Sequence, residues 1–249
     1  DLHSFPTRRS SDLPGWLGAL TYALHCDRRP GLVVVADIDQ ERLDRAAQLF
    51  PPEEIRRDEG IELHFVNTGT VDDPVATLRE ITGGAGFDDV LCYAPVAAVI
   101  TQSSLILGRD GCLNFFAGPT DKNFQAPINF YEVHYGSQHV IGTTGGNTQD
   151  EMESLELTAA GRLDPAVMVT HIGGLDAVPE TTLKLPKIPG GKKLIYTHIE
   201  MPLIALSELR TRAEEDGRYG TLADIVDAHK GLWSPEAERY LLANWESVE

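Results

Sequence analysis

Gly15-Trp-Leu-Gly18, a short apolar segment over residues 19–26, and then Gly31-Leu-Val-Val-Val-Ala-Asp37 form the stretch whose reading decides the fold. The last piece is an unbroken, β-branched apolar run closed by an acid, as expected of a strand buried on both faces. Residues 19–26 read as a short helix, ended by Asp27-Arg-Arg-Pro30. Gly15 and Gly18 have the spacing of the last two glycines of G-x-G-x-x-G, a turn that lets backbone approach a pyrophosphate. Asp37 follows Gly18 by about twenty residues, where such a fold places a carboxylate to accept hydrogen bonds from ribose hydroxyls. Two glycines alone mark a turn. Glycines, helix, buried strand and terminal acid in one register point to nucleotide binding.

The first glycine of that pattern would fall on Leu13. Residues 1–13 have neither hydrophobic period nor capping logic, and they lack the apolar centre of a secretory signal. They resemble the translation of a short sequencing adapter. The expectation is that authentic sequence begins near Pro14, with the first strand of the fold missing upstream.

Beyond Asp37 the pattern alternates. Residues 40–50 carry Leu43, Ala46, Ala47 and Phe50 at helical spacing, stopped by Pro51-Pro52. A strand is predicted over 61–66, a helix over 74–81 with Pro74 at its start, a strand over 89–93 and a helix over 96–107. Further strands are predicted over 111–117 and 139–142, and a helix over 150–160. Strands separated by helices pair in parallel, so the fold class is α/β, a doubly wound parallel sheet lacking its first strand. After residue 162 the pattern changes to strands over 167–170 and 193–197, joined by a Pro-rich connection, and then to a charged helical tail over 207–249. The domain expectation is therefore a nucleotide-binding domain over 14–162, a return segment over 163–206 and a helical tail.

A net charge of −17 leaves no basic stripe for phosphates and argues against nucleic acid. No apolar run reaches the ~20 residues of a spanning helix. Cys26, Cys92 and Cys112 are scattered without metal-site spacing, and a reducing cytoplasm is the expected compartment. Lys184, Lys187, Lys192 and Lys193 read as a solvated turn rather than a phosphate site. An acid at Asp37 welcomes the 2′-hydroxyl of NAD and repels the 2′-phosphate of NADP. Arg42, one helical turn later, stands where it could cover an adenine face, or simply be a solvated surface arginine.

In this register the chain resembles the medium-chain, zinc-type alcohol and polyol dehydrogenases. The resemblance rests on Asp37 with Arg42, on Tyr93-Ala-Pro95, Phe116-Ala-Gly118 and Gly142-Thr-Thr144, and on Gly191-Lys-Lys-Leu-Ile195. Gly118-Pro-Thr-Asp-Lys-Asn-Phe124 and Gly231-Leu-Trp-Ser-Pro look like the polyol-dehydrogenase branch that includes the sorbose-1-phosphate reductases. The resemblance implies Gly15, Gly18, Asp37, Arg42, Tyr93, Gly118 and Thr143 as cofactor contacts, with NAD as cofactor and NADP possible. It implies a polyol or sugar-phosphate substrate and a homo-oligomeric parent protein. Catalytic zinc would belong to an N-terminal domain that this chain does not carry, so no catalytic or metal-binding residue is assigned here. A non-catalytic nucleotide- or sugar-binding regulatory module on the same fold is the alternative. A methyltransferase is disfavoured, because the segment after residue 163 does not form that fold's terminal hairpin.

Overall fold

The computed structural model describes residues 16–247 apart from Asp27 and Pro189. The readings of residues 1–13 as adapter and of Gly15 as a pyrophosphate glycine lie outside the described residues. In chain order the elements are α1 (Trp16–His25), β1 (Leu32–Asp37), α2 (Gln40–Leu49), α3 (Pro52–Glu59), β2 (Glu62–Asn67), α4 (Pro74–Ile81) and β3 (Phe87–Cys92). They continue with α5 (Ala97–Leu105), β4 (Leu107–Phe115), α6 (Phe130–Tyr135), β5 (His139–Gly142) and α7 (Thr148–Ala159). Last come β6 (Val169–Gly174), α8 (Val178–Lys184), β7 (Lys192–Tyr196), β8 (Ile204–Ala205), α9 (Leu209–Arg212), α10 (Gly217–Ala228) and α11 (Pro235–Asn244). Among the described residues, no helix is long and apolar enough to cross a membrane.

The strands form three sheets, β1-β2, β3-β4-β5 and β7-β6-β8. Glu62 N donates to the Gly31 carbonyl and Thr68 N to the Asp37 carbonyl, so β1 and β2 run in the same direction. β3, β4 and β5 are parallel, with Cys92, Phe115 and Gly142 in one row. The expectation that the first strand is missing upstream concerns residues outside the described ones.

Local chemistry sets the helix boundaries. Asp73 accepts from Ala76 N and Pro74 opens α4, where a missing N–H costs nothing. Pro52 likewise opens α3, which closes on Gly60 at φ 72. The predicted stop at Pro51-Pro52 is thus also a start. α3 escapes the periodicity test because it buries no residue. The predicted helix over 96–107 ends at Leu105, and the strand predicted over 111–117 begins at Leu107. The cause is a bulge: Phe87 pairs with Leu107, yet Asp89 pairs with Cys112, and Asp110 absorbs the extra length at φ 61. The strand predicted over 167–170 begins later, at Val169, because Asp164 accepts from Ala166 N and Pro165 opens a single 3₁₀ turn.

Burial on both faces of every strand is not realised. In β1 only Val35 is buried, and all four residues of β5 are exposed. β1 is otherwise half-buried apart from exposed Ala36, so apolar composition there translates only partly into burial.

The chain divides into two compact units. One comprises Val34–Leu43 and His64–Glu156; the other comprises the described residues up to Val33, Asp44–Leu63 and those from Leu157 onward. In the first, Cys92, Ile100, Leu107 and Leu113 form the core between α5 and its sheet. In the second, β6 pairs in parallel with β7 and antiparallel with β8. A core that includes Ile172, Ile204, Leu222, Trp233 and Leu241 binds that sheet to the helical tail.

Candidate functional site

Parallel pairing brings strand ends together. The row Cys92, Phe115 and Gly142 places Tyr93, Phe116 and Thr143 side by side at the C-terminal edge of the β3-β4-β5 sheet. Such an edge is where ligands bind in open α/β sheets. Backbone bonds pin it: Phe116 N and Ala117 N donate to the Cys92 carbonyl at 3.0 and 3.2 Å, and Thr143 N donates to the Phe115 carbonyl at 3.2 Å. The Thr143 hydroxyl donates to Asn114 Oδ1 at 2.9 Å. Tyr93 and Phe116 lie with ring centroids 5.5 Å apart, and burial raises the Tyr93 hydroxyl above its ordinary pKa. A methyl group on Gly118 or Gly142 would meet no atom within 4 Å, so the protein's own packing leaves this space open.

Asp37 ends β1, and its carboxylate is mostly shielded from solvent. Oδ1 accepts from Asp39 N at 3.0 Å, while Oδ2 lies 3.5 Å from the Arg42 guanidinium. Arg42 Nε also lies 3.5 Å from Asp39 Oδ2. Arg42 therefore reaches back to two carboxylates and braces the acid, beyond either role weighed from sequence. A carboxylate anchored at the end of this strand suits hydrogen bonding to a ribose diol.

Of the seven expected contacts, Gly15 lies outside the described residues, and the other six fall into separate groups. Asp37 and Arg42 touch each other; Tyr93, Gly118 and Thr143 share one sheet edge. Gly18 lies within α1, where a methyl group would meet Met168 Sδ at 3.6 Å, an ordinary packing contact. Asn114 and Asp39 were not singled out from sequence. The signal for Asn114 was a lone amide inside the apolar run Gly111-Cys-Leu-Asn-Phe-Phe-Ala117. Among the described residues, no group of three or more His, Cys, Asp or Glu side chains could hold a metal ion.

A sequence profile described as zinc-binding dehydrogenase matches residues 18–160. The chain belongs to the zinc-binding dehydrogenase family. Within it, the chain is 48% identical over 229 residues to a mannitol-1-phosphate 5-dehydrogenase of Aliivibrio fischeri, covering 92% of this chain and 54% of that protein. It is 44% identical over 235 residues to an L-sorbose 1-phosphate reductase of Klebsiella pneumoniae, covering 94% of this chain and 54% of that protein. The chain therefore spans about half the length of these relatives. The benzyl alcohol dehydrogenase structure from Acinetobacter calcoaceticus superposes with a TM-score of 0.57 at 22% identity, over 72% of this chain and 46% of that one. That likeness shows the shared Rossmann-type α/β fold.

Proposed function

We propose that this chain is the cofactor-binding part of a zinc-type, NAD(P)-dependent oxidoreductase whose whole protein acts on a polyol or sugar phosphate. The observation that carries the reading is the braced Asp37 carboxylate at the end of β1. The relatives named for mannitol-1-phosphate and sorbose-1-phosphate chemistry support the substrate class. The open positions at Gly118 and Gly142 fit a ligand lying along the sheet edge.

In this reading Asp37 accepts hydrogen bonds from the adenosine ribose and Arg42 keeps the carboxylate oriented. Tyr93, Phe116-Ala-Gly118 and Thr143 border the other nucleotide half. Bound NAD supplies the hydride acceptor. Among the described residues no cluster of His, Cys, Asp or Glu suits zinc, and we assign that metal to the half of the relatives' length that this chain does not span. As working boundaries we take 14–162 for the nucleotide domain, 163–206 for the return towards the catalytic domain and 207–249 for the tail. We assign the parent to the cytoplasm as a homo-oligomer.

The test is ligand-observed NMR titration of the 249-residue chain with NAD, which reads millimolar affinities. Asp37→Ala is expected to weaken binding about tenfold or more, the value of hydrogen bonds to a charged group. NAD binding that ignores Asp37→Ala, or no binding at all, would overturn the reading.

A further inference from the structure

A cavity of about 430 Å³ lies where β4 begins, at the opposite end of that strand from Phe115. Arg79 from α4 and Arg109 from β4 line it, with Asn129, Glu132 and Tyr135 from α6 and its cap, and Gln138 just before β5. Backbone contacts set its walls. Asp110 N donates to the Gly136 carbonyl at 2.7 Å, and a methyl group on Gly108 would lie 2.9 Å from the Ala85 carbonyl oxygen. Arg79 is held by three carbonyls, donating to Leu105 at 3.1 Å, Leu107 at 3.2 Å and Gly84 at 2.6 Å. Those neutral partners leave its positive charge uncompensated. Arg109 is exposed, and Asp110, the acid beside it in sequence, is instead turned to His139 Nε2 at 3.0 Å. Among the described residues neither guanidinium meets a carboxylate, although the chain carries a net charge of −17 and Arg29, Arg42, Arg210 and Arg218 all do.

Two uncompensated cations lining one cavity repel each other until an anion joins them, and the guanidinium fork matches phosphate oxygens. The remaining groups suit a hydroxylated body. The Asn129 side-chain oxygen accepts from Tyr131 N, which leaves its amide N–H groups to donate. Gln138 Nε2 reaches the Leu107 and Gly108 carbonyls only at 3.4 and 3.5 Å, so it has little to lose in turning to a ligand. The Glu132 carboxylate can accept from a hydroxyl, and it repels ligands with more negative charge than the two arginines offset. We propose that this cavity binds a small phosphate monoester bearing hydroxyls, with Arg109 and Arg79 on the phosphate and Glu132 on a hydroxyl. The site does not rest on the nucleotide reading, whose residues lie elsewhere.

Glucose 6-phosphate, inorganic phosphate and glucose separate the two halves of such a ligand. Their affinities are measured by ligand-observed NMR on the 249-residue chain and on its Arg109→Gln, Arg109→Lys and Glu132→Gln variants. Glucose 6-phosphate is expected to bind at millimolar concentration, more tightly than inorganic phosphate and at least about tenfold more tightly than glucose. Arg109→Gln should weaken both phosphate ligands by about tenfold, the value of hydrogen bonds to a charged group. Arg109→Lys should weaken them less, because it keeps the charge and loses only the fork. Glu132→Gln should narrow the preference for glucose 6-phosphate over inorganic phosphate by about threefold or more. Both positions are exposed, so an unchanged urea midpoint should accompany each variant. No binding of glucose 6-phosphate by the unmodified chain, equal affinity for glucose, or no loss in Arg109→Gln would overturn the inference. So would a preference between the two phosphate ligands that ignores Glu132→Gln.

Discussion

His171 shows how one buried titratable side chain ties stability to pH. It sits on β6 with the Thr170 hydroxyl 2.9 Å from Nδ1. Burial, then the charge of Lys193, pulls its pKa below the ordinary value of 6.5, with Glu208 opposing. A depressed imidazole pKa means that the unfolded chain takes up the proton first as pH falls. Its contribution is therefore present above 6.5 and is lost as pH drops below that value. Urea midpoints at about pH 7.5 and about pH 5.5 should fall further for the unmodified chain than for His171→Gln. Equal drops would show that other groups carry the acid sensitivity. Also at this scale, the carboxylate of Asp37 should repel a 2′-phosphate, so NAD is expected to bind more tightly than NADP, and Asp37→Ala should narrow the gap. A tighter NADP complex in the unmodified chain would contradict this.

At the scale of elements, the β3-β4 pairing depends on close approaches of glycine backbone, the tightest at Gly86. Gly86 has φ 84, and a methyl group there would lie 2.6 Å from Gly108 N and 2.7 Å from the Leu107 carbonyl oxygen. Gly84 has φ 86 but would meet nothing within 4 Å. Both alanine variants incur the left-handed penalty of about 1–2 kcal/mol, and only Gly86→Ala adds an overpacking cost of about 1–3 kcal/mol. Denaturation of the two variants should separate them in that order. Equal costs would mean that the strand bulge relaxes to admit a side chain.

On the scale of the whole molecule, the helical tail is part of a core. Trp233 is buried; its indole N–H donates to the Tyr196 hydroxyl at 2.8 Å, which in turn donates to Glu238 at 2.6 Å. Removing one large buried aromatic costs about 3–5 kcal/mol. Trp233→Ala should therefore lower stability by that order and expose the β7-β6-β8 sheet to proteolysis, whereas a loss below about 1 kcal/mol would show that the tail is dispensable. The chain as it stands, given zinc, NAD and a hexitol phosphate, is expected to show no turnover. No group of three or more His, Cys, Asp or Glu among the described residues could hold a metal ion, and removing one electrostatic group of this kind costs ~10²–10³ in rate. Zinc-dependent turnover above background would mean that catalytic groups lie within these residues.

What could be read from the chain alone was whatever depends on local pattern. Gly31-Leu-Val-Val-Val-Ala-Asp37 announces a strand closed by an acid, and the alternation of apolar runs with helical periods announces parallel pairing. Short elements that bury no residue, such as α3 and the six-residue α6, left no such signal. The bulge that moves the start of β4 from Gly111 to Leu107 depends on the partner strand, so no single-strand pattern reveals it. Strand pairing also brought the candidates together: register sets Tyr93, Phe116 and Thr143 in one row, although up to fifty residues part them in sequence. Composition likewise could not distinguish Phe115 in the core from Phe116 at the open edge. Two identical neighbours were assigned opposite environments by strand alternation and by which face α5 happens to cover.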